Sequence, residues 1–158
     1  ADVEKVVAAC KYPPVGIRGF GPRRGRNFGG QPYPEYLIDA DEQIMVIVQI
    51  EHIDAVDSLD EILAVEGLDA LCVGFNDLAG SMGLSGKVTD PAVIAVTEEV
   101  IRKTRQTDKT IGISMGYNRE AVAHWLGLGL QWISLGGDFN LLYAKVKETL
   151  ADVHAIER

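Results

Sequence analysis

Four residues carry most of the chemistry open to this chain: Gln49, Glu51, Asn76 and Asp77. The apolar run Ile44-Met45-Val46-Ile47-Val48 leads into Gln49-Ile50-Glu51. A second run, Leu71-Cys72-Val73-Gly74, leads through Phe75 into Asn76-Asp77. Runs of this length and composition read as buried strands. In parallel α/β proteins ligands gather at the C-terminal ends of the strands. Side chains alternate along a strand, so Gln49 and Glu51 share one face while Ile50 and His52 take the other. Neighbouring strands lie about 4.8 Å apart, close enough for Glu51 and Asp77 to reach one ion. Carboxylate oxygens suit a hard divalent cation, Mg²⁺ or Mn²⁺, with Co²⁺ or Zn²⁺ as further options. Gly74 admits close backbone approach, and the N–H groups after it can hold an anion. The residues alone leave a second reading open, in which Glu51 and Asp77 are ordinary solvated acids in polar loops.

Other chemistry-bearing residues are less promising. Alternation sets His52 opposite Glu51, where it opens the next helix. His124 and His154 have no partner visible in the sequence and read as surface or packing residues. Ser81, Ser114 and Ser134 lack the G-x-S-x-G elbow of a nucleophile. The glycines between Gly16 and Gly30 do not follow a strand and open a helix, which argues against a dinucleotide site. Arg18, Arg23, Arg24 and Arg26 form a basic cluster among them. It can bind a carboxylate or phosphate, or be simply a solvated loop.

The elements that must position these residues follow from periodicity and punctuation. Residues 1–15 read as a helix end and a turn, stopped at Pro13-Pro14. Residues 16–41 read as a long loop rich in Gly, Pro and Arg. Residues 42–158 read as four βα units. The strands are expected at 44–50, 70–74, 110–115 and 131–135. Helices follow at 53–63, closed by Gly67, then at 90–101 with Asp90 as cap and Pro91 in the first turn, at 118–125 capped by Asn118, and at 140–153. A loop with Gly80, Gly83 and Gly86 links the second strand to its helix. Consecutive βα units imply a parallel sheet with right-handed crossovers. The whole reads as one partial α/β domain, either doubly wound or part of a (β/α)₈ barrel. A full barrel takes about 250 residues, so these 158 would supply roughly half. Val46, Val48 and Val73 are expected to point inward and to miss the opposite wall.

Composition narrows the classes. A net charge of −8 argues against nucleic acid as the main partner. No apolar run reaches the roughly 18 residues of a membrane span, and no signal peptide is visible. Two cysteines, Cys10 and Cys72, are too few for a disulfide framework. Both read as buried or half-buried thiols in a reducing compartment, the cytoplasm.

The segments Tyr12-Pro13-Pro14-Val15-Gly16-Ile17-Arg18-Gly19, Val48-Gln49-Ile50-Glu51, Asp60 to Asp69, and Gly74-Phe75-Asn76-Asp77-Leu78 with Gly83 come in one order. Together they resemble the metal-dependent class II pyruvate aldolases, of the 4-hydroxy-2-oxoheptanedioate and 2-dehydro-3-deoxyglucarate type. The resemblance implies the C-terminal half of a TIM (β/α)₈ barrel, commonly hexameric. It implies reversible cleavage of 4-hydroxy-2-oxo acids into pyruvate and an aldehyde. By motif, Glu51 and Asp77 match the metal ligands and Gln49 a glutamine on the bound oxo acid. The amides of Asn76 and Asp77 match those that hold its carboxylate. A metal chelated by the oxo acid then acts as a Lewis acid and stabilises the enolate. Two departures stand out. After Gly74, Phe75 and Asn76 stand where the family has Pro and a small residue before the Asp, which bears on pocket shape. The family's catalytic His, its acidic partner and its enolate-stabilising Arg lie on earlier strands and match nothing here. The chain alone is therefore expected to be incomplete, with about 90 residues preceding Ala1 and a missing N-terminal half-barrel as its partner. A non-catalytic metal- or 2-oxo-acid-binding half-barrel and a related acyl-CoA lyase remain the alternatives.

Overall fold

The computed structural model describes residues 2–156. Helix α1 (Asp2–Cys10) opens the described residues, and α2 (Tyr33–Gln43) lies largely within the segment 16–41 expected to be loop. Pro32 and Pro34 had marked that segment as irregular. Here Pro34 sits in the first turn of α2, where a missing N–H costs no hydrogen bond. The prolines therefore start a helix that the sequence reading had missed.

Four strands follow: β1 (Ile47–Ile50), β2 (Ala70–Gly74), β3 (Thr110–Met115) and β4 (Trp132–Leu135). They form one all-parallel sheet in the order β1-β2-β3-β4. β1 starts at Ile47 rather than Ile44, because its ladder begins at the pair Ile47↔Ala70. Just ahead of it, the Val46 N–H donates to the Asp69 carboxylate at 2.6 Å.

The helix expected over 53–63 is two short ones, α3 (Ile53–Asp57) and α4 (Leu59–Leu63), broken at Ser58. His52 caps α3, its ring nitrogen accepting from the Asp54 N–H. Gly67 does not close α4, whose last turn ends at Ala64. With φ of +80°, Gly67 instead makes the turn into β2. After β2 comes α5 (Phe75–Ser81), where a loop was expected, and then α6 (Pro91–Thr104). Asp90 caps α6 through Ala92 N–H at 3.0 Å, and Pro91 opens it. Asn118 caps α7 (Arg119–Gly127) through Ala121 N–H at 2.9 Å. The chain continues into α8 (Asp138–Ile156), whose Leu141, Leu142, Tyr143 and Leu150 are all exposed.

The register separates two faces of the sheet. Val46, Val48, Ile50, Leu71, Val73, Ile111 and Ile113 share one face and pack beneath the helices with Leu59, Leu78, Val100 and Trp125. The other face carries Ile47, Gln49, Cys72, Gly112 and Trp132. The expectation that Val46, Val48 and Val73 point inward is thus overturned. They lie under the helix layer, and the side chains that look for an opposite wall are those of the Gln49 face.

Candidate active site

The site grows from the ends of β1 and β2. Ile50 pairs with Val73, so Glu51 leaves β1 beside Gly74. Both side chains of the Gln49–Glu51 face lean over that glycine. A Cβ built on Gly74 would meet Glu51 Oε2 at 3.0 Å and Gln49 Nε2 at 3.5 Å. A larger residue there would push the carboxylate away, so the glycine is what lets Glu51 lie against the end of β2.

Gly74 is also the residue from which α5 starts, and Asp77 lies in the first turn of that helix. Asn76 and Asp77 are exposed, Glu51 is half-buried and Gln49 exposed. Asp77 thus stands one turn beyond the glycine that Glu51 covers. Among the described residues no cluster of three or more His, Cys, Asp or Glu side chains forms a metal cage. The donor set here is two carboxylates with the Gln49 amide nearby. These are hard oxygen donors, and they leave room around an ion for a chelating substrate and water. The chemistry of these donors suits such an ion. A cavity of about 510 Å³ at the free edge of β1, between α1 and α3, includes Gln49 and His52 but neither Glu51 nor Asp77. The two carboxylates lie outside that cavity.

The electrostatics place Glu51 on the same face as Cys72. Burial pushes the Cys72 thiol above its ordinary pKa, and the nearby Glu51 carboxylate adds to the shift. Cys72 pairs with Gln49 across β1 and β2, directly below the site.

One positioning residue escaped the sequence reading. Ser81, at the end of α5, accepts a hydrogen bond from Ile53 N–H at 3.0 Å and donates to Leu78 carbonyl at 2.7 Å. It ties the segment just after Glu51 to the helix that carries Asp77. Nothing in the sequence around Ser81 signals this, since the contact spans 28 residues. Of the other candidates, Ser114 is exposed and Ser134 is exposed. His52 is the α3 cap. His124 has the surface and packing role expected of it: it lies 3.2 Å from a Glu98 oxygen and packs edge-on against Trp125. Phe75, expected to reshape the pocket, packs its ring against Trp125 at 5.4 Å in the helix layer.

Comparison with known proteins bears on this arrangement. The family model described as HpcH/HpaI aldolase/citrate lyase matches residues 1–144. The chain belongs to that family. Among curated HpcH/HpaI relatives, a 4-hydroxy-2-oxo-heptane-1,7-dioate aldolase of Shigella flexneri is 38% identical over 150 residues, covering 95% of this chain and 55% of the relative. A hydroxypyruvate/pyruvate aldolase of Pseudomonas aeruginosa is 36% identical over 148 residues, 94% of this chain and 55% of the relative. An HpcH/HpaI aldolase/citrate lyase family protein from Burkholderia cenocepacia J2315 superposes with a TM-score of 0.87 at 30% identity, over 97% of this chain and 60% of that one. The four βα units are accordingly units of the HpcH/HpaI TIM-type barrel. The chain spans about half the length of the curated relatives it matches.

Proposed function

We propose that this chain carries the metal- and oxo-acid-binding half of a class II pyruvate aldolase, which reversibly cleaves 4-hydroxy-2-oxo acids to pyruvate and an aldehyde. The observation that carries the reading is the packing of Glu51 and Gln49 over Gly74, at the start of the helix that holds Asp77. Glu51 and Asp77 would be the protein ligands of a divalent ion, Mg²⁺ or Mn²⁺ in preference to Co²⁺ or Zn²⁺, since hard oxygens suit hard cations. Held there, such an ion would supply Lewis acidity to the oxo group of the bound acid. Gln49 would orient that oxo acid from the β1 side. The amides of Asn76 and Asp77 would take its carboxylate. Ser81 would keep the two carboxylate-bearing segments in register. No residue of this chain is assigned the role of base.

The remaining wall of the barrel completes the proposal. The Gln49 face ends in Ile47, 43% exposed, and in two buried polar atoms without hydrogen-bond partners among the described residues, Thr110 Oγ1 and Trp132 Nε1. β1 and β4 each have a free edge in the sheet. A further half-barrel would cover this face and contribute the acid–base groups. A homo-oligomer would in addition cover the exposed apolar side chains of α8.

Calorimetry with pyruvate or oxamate tests the reading. Binding is expected only in the presence of Mn²⁺, and Gln49→Ala should weaken it while leaving Mn²⁺ affinity in place. Equal pyruvate affinity with and without the metal would sink the chelation scheme. A retro-aldol assay on residues 1–158 alone should show negligible turnover. Ordinary turnover by a well-folded monomer would place the acid–base groups inside this chain.

A further inference from the structure

The basic cluster has an architecture of its own. Tyr12 and Tyr36, each only 8% exposed, form a small core with Ala40, onto which Ile44 packs just ahead of β1. Beside the two phenols is a cavity of about 410 Å³, lined also by Arg18, Arg23 and Arg24. Gly25 lets the loop close over it: a Cβ there would meet Tyr36 Oη at 2.8 Å.

Every polar side chain on this cavity is a donor. Arg18 lies over the Tyr12 ring at 4.7 Å. Arg18, Arg23 and Arg24 have no carboxylate partner among the described residues. Arg26 is different, since it donates to the Gln31 carbonyl at 2.8 and 2.6 Å and lies over the Tyr33 ring. The phenols add a second, independent observation. Tyr12 Oη and Tyr36 Oη are 3.2 Å apart and share one hydrogen bond, so one phenol donates to the other. The accepting phenol still holds a proton, and no side chain takes it. Burial and the Tyr36 hydrogen bond raise the Tyr12 pKa, so Tyr12 keeps its own proton for the pair. A pocket of three unpaired guanidinium groups and a spare O–H calls for a ligand that only accepts and carries more than one negative charge. A carboxylate is satisfied by one bidentate arginine, whereas a tetrahedral oxyanion has oxygens for several donors at once.

We propose that the pocket formed by Tyr12, Tyr36, Arg18, Arg23 and Arg24 is a phosphate-binding site, built without Gln49, Glu51, Asn76 or Asp77 and independent of the aldolase reading. Its ligand is inorganic phosphate or the phosphate group of a small monoester. The test is calorimetric titration of the purified protein with inorganic phosphate, glycerol phosphate and succinate. EDTA is present throughout, so that no ion at Glu51 can carry the anion. Saturable phosphate binding is expected. It should weaken at least about tenfold in Arg23→Ala/Arg24→Ala, two exposed positions whose loss leaves the fold intact. Tyr36→Phe, which removes the phenol pair but keeps the ring, should weaken it a few-fold, and Glu51→Gln should leave it unchanged. Tighter binding of glycerol phosphate than of phosphate sustains the site and identifies a monoester as its ligand; the reverse order identifies the free ion. Non-saturating phosphate binding, an unchanged affinity in the double variant, or succinate bound more tightly than phosphate would each overturn the proposal.

Discussion

The two faces of the one sheet are built from the same four strands and do different work. On the helix-covered face, Ile50, Leu71, Val73, Ile111 and Ile113 are essentially excluded from water and interlock with Leu59, Leu78 and Val100. The opposite face is mixed. It holds the exposed Ile47 and Gln49, the buried Cys72, and the Trp132 indole lying on Gly112. Gly112 has no side chain because Trp132 occupies the space a Cβ would need. One face buries apolar area and stabilises the unit. The other leaves polar groups near its rim, where a ligand or a further wall can reach them. The buried core and the proposed site are therefore separated by the alternation of side chains along each strand.

The largest expected effect tests the stabilising face. Ile113→Ala should cost ~2–5 kcal/mol in chemical denaturation, since its site cannot collapse around the lost methyl groups. Cys72→Ala, on the opposite face, should cost about 1 kcal/mol or less by the same measurement. Equal losses would erase the distinction between the faces.

A second pair of variants tests the chemical face. Asp77→Asn and Glu51→Gln should each weaken Mn²⁺ binding by about 100-fold, because a neutral amide leaves a divalent ion undercompensated. Both should leave the denaturation midpoint nearly unchanged. A lost midpoint with intact Mn²⁺ affinity would assign these acids to the fold.

Gly74→Ala sharpens the comparison at the boundary between the two. Its new Cβ would stand 3.0 Å from Glu51 Oε2 and 3.2 Å from Glu51 Cβ, so the carboxylate must swing away and the Glu51 Cβ must give by a few tenths of an ångström. Mn²⁺ affinity should fall by about tenfold, roughly 1.4 kcal/mol, with little change in stability. Unchanged affinity would show that Glu51 does not need its place over the glycine.

The smallest effect concerns the thiol beneath the site. Burial, then Glu51, raises the Cys72 pKa above the ordinary 9.0. The fold favours the neutral thiol. The stability this lends is complete below the ordinary thiol value and is lost as pH rises through the raised one. In Glu51→Gln one of the two causes disappears, so Cys72 should be alkylated a few-fold faster near pH 9, read at that residue by mass spectrometry. An unchanged rate would place Glu51 away from the thiol.

Much of this was legible in order and type. Asp90-Pro91 and Asn118 marked their helix starts because a cap and a first-turn proline act locally. The runs 70–74 and 110–115 appeared as strands at those bounds. Tyr33–Gln43 was missed because its prolines were read as breakers, although proline at a helix start is neutral. Phe75–Ser81 was missed because Gly80 and the glycines after it outweighed a helix of only two turns.

The sequence by itself determined the parallel βα order and the candidates Gln49, Glu51, Asn76 and Asp77, because strand periodicity and helix caps are encoded within a few residues. Only the tertiary structure decided which face of the sheet the helices cover. It alone set Glu51 over Gly74 and Ser81 against Ile53, and it alone gave Tyr12 to Tyr36 across 24 residues. The physical reason is that such contacts depend on strand register and helix docking, where a shift of one residue exchanges the two faces.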